Sequence, residues 1–141
     1  MRFRKFKFDP MMRRVRRGDF NLGWFYCPVY RANVEIIWPV NAAQVARHIK
    51  VRHKMEHDPH DTFGAKLVTI DRKDGTDVQI ICLRTFDSGD PSDIAMLAHE
   101  VFHCADHILA RRGVELQKGT TEPYAYLIES IMRRSLNLLC A

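Results

Sequence analysis

The sequence lacks the run of roughly 18 consecutive apolar residues that a membrane-spanning helix requires. Its start also lacks a basic segment followed by an apolar one, so no secretory signal is indicated. Internal repeats and low-complexity linkers are missing as well. We therefore expect no association with a membrane. The protein is predicted to stay in the cytoplasm, or in a particle that is assembled there.

Paired cysteines are also missing. The four cysteines, Cys27, Cys82, Cys104 and Cys140, form no C-x-x-C motif. This spacing disfavours a thiolate zinc site and a thioredoxin-like redox centre. Single cysteines in a chain without a signal are usually reduced core residues, and we predict that role here.

Acidic residues are scarce in the first seventeen positions, where Asp9 is the only one. The same stretch holds much of the positive charge behind the formal net charge of +5, namely Arg2, Arg4, Lys5, Lys7, Arg13, Arg14, Arg16 and Arg17. We interpret residues 1–20 as a basic arm, followed by a single domain over residues 21–141. The segment Arg2–Arg17 could contact nucleic-acid phosphates weakly. It could equally be a solvated arm, or an arm that docks on an acidic protein partner.

The length of 141 residues suits one domain with a core of its own. Apolar periodicity and capping residues predict its elements. These are a strand over Asn33–Trp38, a helix from Ala42 to about Met55 capped by Asn41, a hairpin of Lys66–Asp71 and Asp77–Thr85 around Arg72-Lys73-Asp74-Gly75, a helix capped by Asp90 that ends before Gly113, and a helix from Thr120 or Thr121 to about Leu139. The fold class is therefore α+β with a small sheet.

The chemistry-bearing motif is His99-Glu100-Val101-Phe102-His103, which matches H-E-x-x-H. On a helix the two histidines point the same way from successive turns and can bind one zinc ion. The opposite side of the helix is apolar, so this polar face is free for function. Glu100 lies about a quarter-turn away, which suits a general base for activating water better than a ligand.

A catalytic zinc ion usually has three protein ligands, so a third is expected elsewhere. The metzincin pattern is excluded, because Asp106 stands where its glycine would be and Leu109 where its histidine would be. The remaining source is a carboxylate on the last helix. Glu122 is the best candidate, and Glu129, two turns further along the same face, is the alternative.

The segment His99–Arg112, together with Glu122-Pro123-Tyr124-Ala125-Tyr126-Leu127-Ile128, resembles small H-E-x-x-H proteins encoded in phage and prophage genomes. In those proteins the motif helix is followed by a helix of the form E-x-(Y/F)-A-Y-L. The segment is also similar to minimal gluzincins. The resemblance covers roughly residues 66–132 and is weak outside them.

The resemblance implies a minimal zincin-like domain, with a β-hairpin before the H-E-x-x-H helix and a glutamate-bearing helix after it. It implies Zn²⁺ on His99, His103 and Glu122, with Glu100 as base. By analogy with zincins, Val78–Thr85 is expected to border the cleft and hold an extended peptide.

Two further side chains, His107 and Tyr126, are predicted to assist catalysis, by orienting a ligand or by stabilising the transition state. The predicted function is a zinc-dependent hydrolase, specifically a metallopeptidase that acts on a peptide or protein. The alternative is a phage structural or assembly protein with a zincin-like fold, whose basic arm docks on particle proteins or nucleic acid. In that case the location is the host cytoplasm or the virion.

A second motif, His53-Lys54-Met55-Glu56-His57, reads as H-x-x-E-H, the inverted zincin signature. Its charged surroundings at a helix end favour a solvated, histidine-rich terminus instead, and a surface metal site of His53, His57 and His60 is a further alternative. The pair His99 and His103 also has two alternative interpretations. The histidines could be hydrogen-bonded on a helix flank, or could hold a purely structural zinc.

Overall fold

The computed structural model describes residues 12–141, which form an α+β domain. The strands are β1 (Met12–Arg17), β2 (Phe20–Cys27), β3 (Ala32–Trp38), β4 (Ala65–Asp71) and β5 (Asp77–Leu83). The helices are α1 (Ala42–His53), α2 (Pro91–Ala110) and α3 (Thr121–Leu139), the last preceded by a short 3-10 helix at Lys118–Thr120. In this part of the chain no helix has both the length and the apolar character needed to cross a bilayer.

The five strands make one mixed sheet in the order β1-β2-β3-β5-β4. Only β3 and β5 are parallel, and the other neighbours are antiparallel. Strands β1 and β2 were not predicted. Residues 12–17, which the sequence assigned to the basic arm, are instead the edge strand β1, whereas residues 1–11 of that arm lie outside the described residues.

Helices cover both faces of the sheet. On β5, Ile81 and Leu83 join the core formed with α2 and α3, while Ile80 and Cys82 join the core beneath α1. All seven residues of β5 are buried. A strand covered on both faces is expected to be apolar along its whole length, which explains the continuous run Val78–Leu83 with its one polar residue, Gln79.

The helix ends follow the predicted capping residues. Asn41 accepts a hydrogen bond from the backbone N–H of Gln44 and begins α1, and Asp90 accepts one from Ser92 and begins α2. Helix α1 ends two residues earlier than predicted, because Lys54 adopts a left-handed conformation with φ of 58°. The segment after His53 is therefore not helical.

Two glycines shape the region around the cleft and the sheet. Gly75, with φ of 84°, closes the predicted β4–β5 hairpin directly before α2. Gly23 lets α3 lie close to β2, because a Cβ atom there would be only 2.9 Å from Leu138 Cδ1. Helix α3 thus lies towards the β1 and β2 side of the sheet, and α2 towards β4 and β5.

Candidate functional site

A cavity of about 350 Å³ lies between α2 and the edge strand β4. Four predicted site residues line it from α2: His99, Glu100, His103 and His107. The wall on the other side comes from β4, with Ala65, Lys66, Leu67 and Thr69. The H-E-x-x-H motif therefore opens into a cleft and is not buried in the core.

The two motif histidines converge at this cleft. Their Nε2 atoms are 3.1 Å apart, and both side chains are exposed. A zinc ion at the usual distance of about 2.0–2.1 Å from both nitrogens would make an N–Zn–N angle of roughly 100°, close to tetrahedral. The pair therefore fits two positions of a zinc site, although the same distance also suits a hydrogen bond between the rings.

Glu100 lies lower in the cleft than the histidines, with 8% of its surface exposed. It lines the same cavity as both of them. The Glu100 carboxylate is therefore largely shielded from bulk water beside two potential metal ligands.

The predicted residues of α3 do not line this cavity. Glu122 and Glu129 are exposed, Tyr126 is 68% exposed, and Glu129 has a weak ion pair with Arg133 at 3.8 Å. Within residues 12–141, three or more potential ligand atoms come within 4.8 Å of one another only in a group elsewhere in the fold. The structure therefore brings together His99 and His103 but neither glutamate with them.

Glu122 and Glu129 lie away from the cavity because α3 packs on the other side of α2. Tyr124 of α3 donates to Asp106 Oδ1 at 2.9 Å on one flank of α2, whereas His107 meets Thr69 of β4 on the other. The cleft lies on the β4 flank. The sequence could place Glu122 on the next helix but could not indicate the flank.

The strand beside the cleft also differs from the prediction. Strand β5, which contains most of Val78–Thr85, has β3 on one side and β4 on the other, so it has no free edge for a peptide. Instead β4 borders the cleft. Its backbone bonds to β5 involve alternate residues, as shown by the flanking bonds Arg72 N–H to Thr76 O and Arg84 N–H to Gly64 O. The backbone groups of Ala65, Leu67 and Thr69 therefore point to the outer edge of β4, which has no strand partner among residues 12–141 and is called the open edge below.

A second polar group, which was not predicted from the sequence, lies on the opposite face of the sheet. Glu35 of β3 is 3% exposed and its Oε1 accepts from His48 Nε2 at 3.0 Å and His53 Nε2 at 2.8 Å. These ligand atoms lie within 4.8 Å of one another, so this group could hold a metal ion. The available signal was a glutamate inside the apolar strand Asn33–Trp38.

Two arginines make the Glu35 group a hydrogen-bonded ion cluster. Arg52 Nε donates to Glu35 Oε2 at 2.5 Å, and Arg72 donates to His53 Nδ1 at 3.1 Å. Because Nδ1 accepts, the neutral His53 ring carries its proton on Nε2, which then has no lone pair for a metal. Burial alone would raise the pKa of Glu35, but hydrogen bonds from His48, His53 and Arg52 hold it well below its usual range.

The inverted motif is divided between different surroundings. His53 belongs to the Glu35 cluster, Glu56 is exposed, and His57 Nε2 lies 2.9 Å from Lys66 Nζ. Burial and the Lys66 ammonium lower the pKa of His57. His53, His57 and His60 do not form a metal-sized group in the described part of the chain.

The cysteines follow the prediction with one difference. All four are unpaired, and Cys27, Cys82 and Cys104 are buried, but Cys140 is exposed. Burial raises the pKa of the Cys82 and Cys104 thiols, so neither is a thiolate near neutral pH.

The chain was also compared with known proteins. No protein-family model, curated protein or solved structure matches it.

Proposed function

We propose that this protein is a zinc-dependent hydrolase of peptides, with a minimal zincin-like fold of the kind found in small phage-encoded proteins. The observation that carries the proposal is the placement of His99, Glu100 and His103 around one cavity, with the two Nε2 atoms 3.1 Å apart. A hydrogen-bonded histidine pair alone would not need a buried carboxylate beside it and an open strand edge opposite.

His99 and His103 are the residues that would hold the zinc ion. When bound, the ion would make a water molecule more acidic and would polarise the carbonyl group of the substrate. The Glu35 cluster is the weaker candidate, because a dication there would lie beside the guanidinium groups of Arg52 and Arg72.

Glu100 acts as the general base in this proposal. It takes a proton from the attacking water and passes it to the leaving amine. Its partial burial keeps bulk water from competing for that proton. His107, one helical turn beyond His103, is positioned to contact the substrate next to the bond that is cleaved.

The open edge of β4 supports a peptide substrate. The outward backbone groups of Ala65, Leu67 and Thr69 can pair with an extended peptide as an added strand. Such pairing recognises the peptide backbone and not its side chains. It would place the peptide along the cavity wall that faces His99 and His103.

The test is the metal content of the purified, untagged protein by mass spectrometry. We expect near-stoichiometric zinc, which is lost in His99→Ala and in His103→Ala and retained in His60→Ala, a matched control at an exposed histidine. Glu35→Gln should also keep its zinc. Zinc that depends on Glu35 and not on His103 would overturn the proposal, as would a protein without metal.

The third ligand is tested by two more variants in the same assay. The sequence predicted Glu122 as the ligand, but Glu122 and Glu129 lie away from the cavity, so Glu122→Ala and Glu129→Ala should both leave zinc affinity unchanged. A loss of affinity in either variant would assign the third ligand to that glutamate. Unchanged zinc affinity in both variants would show that α3 supplies no ligand.

The second candidate function is a structural or assembly protein, and the exposed basic strand β1 favours it. Residues 13–19 are all exposed, and β1 is an edge strand with arginines at positions 13, 14, 16 and 17. Such an edge suits an acidic protein partner or nucleic acid. Sedimentation with particles, in a protein that lacks zinc, would support this function over hydrolysis.

A further inference from the structure

We propose that Thr69 and Gln79 are positioning residues, which hold the neutral His107 ring with its proton on Nδ1 and its Nε2 lone pair available to the cleft. The inference deepens the proposed function, on which its meaning for a substrate rests. The tautomer itself is a property of the hydrogen bonds beneath the cleft. It can be measured without any turnover.

A chain of hydrogen bonds runs from Asp77 through Gln79 and Thr69 to His107. The buried Asp77 fixes which partner donates in each bond. Asp77 and Gln79 are both fully buried on β5. Gln79 Nε2 is 3.0 Å from Asp77 Oδ2, and a carboxylate oxygen can only accept. The amide nitrogen of Gln79 must therefore face Asp77, and its oxygen faces the other way, towards Thr69. Arg112 neutralises the Asp77 charge, with its Nη2 2.9 Å from Oδ1.

The hydrogen bonds of Thr69, which lies between Gln79 and His107, also have a fixed direction. Thr69 Oγ1 lies 2.8 Å from Gln79 Oε1, so the hydroxyl must donate its single proton to Gln79. The Thr69 oxygen also lies 3.3 Å from His107 Nδ1. Since its proton is already used, this oxygen can only accept, and His107 Nδ1 must donate.

This state is not the default for an exposed histidine. His107 is exposed, and a neutral imidazole in water prefers the proton on Nε2. In residues 12–141 no second hydrogen-bond partner of the ring offsets the Thr69 contact, so the chain of acceptors decides the tautomer. Strand β4 therefore borders the cleft and, through Thr69, also determines which nitrogen of His107 carries the proton.

With its proton on Nδ1, His107 presents a hydrogen-bond acceptor, Nε2, to a substrate. The ring lines the cavity, and a bare Nε2 accepts a hydrogen bond from an N–H group or takes up a proton. Next to the open edge of β4, the N–H group of an extended peptide is the matching donor. Ester analogues that lack this N–H should bind more weakly than the corresponding amides.

The experiment is nitrogen-15 NMR of the histidine side chains in the full chain, at a pH well above the usual histidine range. We expect the His107 shifts to show a protonated Nδ1. Thr69→Val removes the acceptor and should move the ring to the Nε2–H form. Thr69→Ser keeps the hydroxyl and should preserve the wild-type pattern. In Gln79→Met the Thr69 proton is free to donate to Nδ1, which should also give the Nε2–H form.

The inference is wrong if wild-type His107 carries its proton on Nε2, or if Thr69→Val leaves the tautomer unchanged while the remaining spectrum stays folded. A simple packing role for Thr69 would not distinguish valine from serine in this way. The same spectra of His103→Ala separate the two proposals. A protonated Nδ1 on His107 in that variant, whatever its metal content, supports the tautomer inference independently of the zinc site.

Discussion

Arg112 and Asp77 form a two-point ion pair beneath the cleft, with guanidinium nitrogens 2.9 Å from Oδ1 and 3.3 Å from Oδ2. Asp77 is fully buried, so its charge depends mainly on this partner, with the Gln79 amide 3.0 Å and Arg111 Nε 4.0 Å from Oδ2 as further partners. Arg112 also donates to the carbonyls of Tyr30 and Ile108. One side chain thus joins the end of α2 to β5 and to the turn before β3, and holds the wall of the candidate site in place.

The first prediction concerns the ion pair of Arg112 with Asp77. Arg112→Lys should lower the free energy of unfolding by about 2–3 kcal/mol, because an ammonium group cannot make the two-point contact and leaves Asp77 partly unpaired. The matched control is Arg111→Lys. Arg111 pairs with the exposed Asp71 at 2.6 Å and only approaches Asp77 Oδ2 at 4.0 Å, so its replacement should cost less than about 1 kcal/mol. Urea unfolding of both variants measures the difference, and equal costs would contradict the assignment.

The second prediction separates binding from catalysis at the motif. Glu100→Gln should retain the zinc content of the wild-type protein and lose at least about 100-fold in peptide hydrolysis, since the amide cannot take the proton from water. Glu56→Gln, at an exposed glutamate of the inverted motif, should leave both unchanged. A Glu100→Gln variant with full activity would exclude Glu100 as the base.

The third prediction is a pH dependence of stability at the Glu35 cluster. Hydrogen bonds from His48, His53 and Arg52 hold the pKa of Glu35 in the folded protein well below its usual range, although burial opposes them. An unfolded glutamate has a pKa of about 4.3. The stabilisation is therefore complete above about pH 4.3 and is lost as the pH falls further towards the folded pKa.

Glu35→Gln tests that dependence. Near neutral pH the variant should be less stable by about 3 kcal/mol, because Arg52 loses its buried counterion and both histidines lose a carboxylate acceptor for their hydrogen bonds. The gap between variant and wild type should narrow below about pH 4.3. Denaturant melts over an acidic pH series measure this, and a gap that widens with falling pH would contradict the prediction.

The fourth prediction uses the cysteines as reporters of burial. In the native protein a thiol reagent should modify Cys140 rapidly, and Cys27, Cys82 and Cys104 only after unfolding. Cys140→Ser should remove the fast phase entirely. Rapid modification of a second thiol under native conditions would show that a buried core position opens to solvent.

Much of the local structure followed from the sequence. Asn41 and Asp90 cap α1 and α2 as predicted, and Gly75 closes the β4–β5 hairpin. These features depend on a few neighbouring residues, so short-range patterns were sufficient. The spacing of His99 and His103 likewise determined that both point from one side of α2, because a helix repeats every 3.6 residues.

Strand β1 was missed because its composition suggests a different structure. The arginines at positions 13, 14, 16 and 17 suggested a solvated arm, yet the backbone of residues 12–17 pairs with β2. An edge strand needs only one partner and can keep its charged side chains in water, so its composition resembles that of a disordered segment.

The sequence by itself determined that four candidate functional residues lie on one face of α2: His99, Glu100, His103 and His107. Only the tertiary structure decided what that face meets. It places β4 and not β5 beside the cleft, puts α3 with Glu122 on the other flank of α2, and brings Glu35 to His48 and His53. Periodicity fixes directions within one helix or strand, whereas contacts between elements depend on sheet order and on how whole faces pack, which no local pattern encodes.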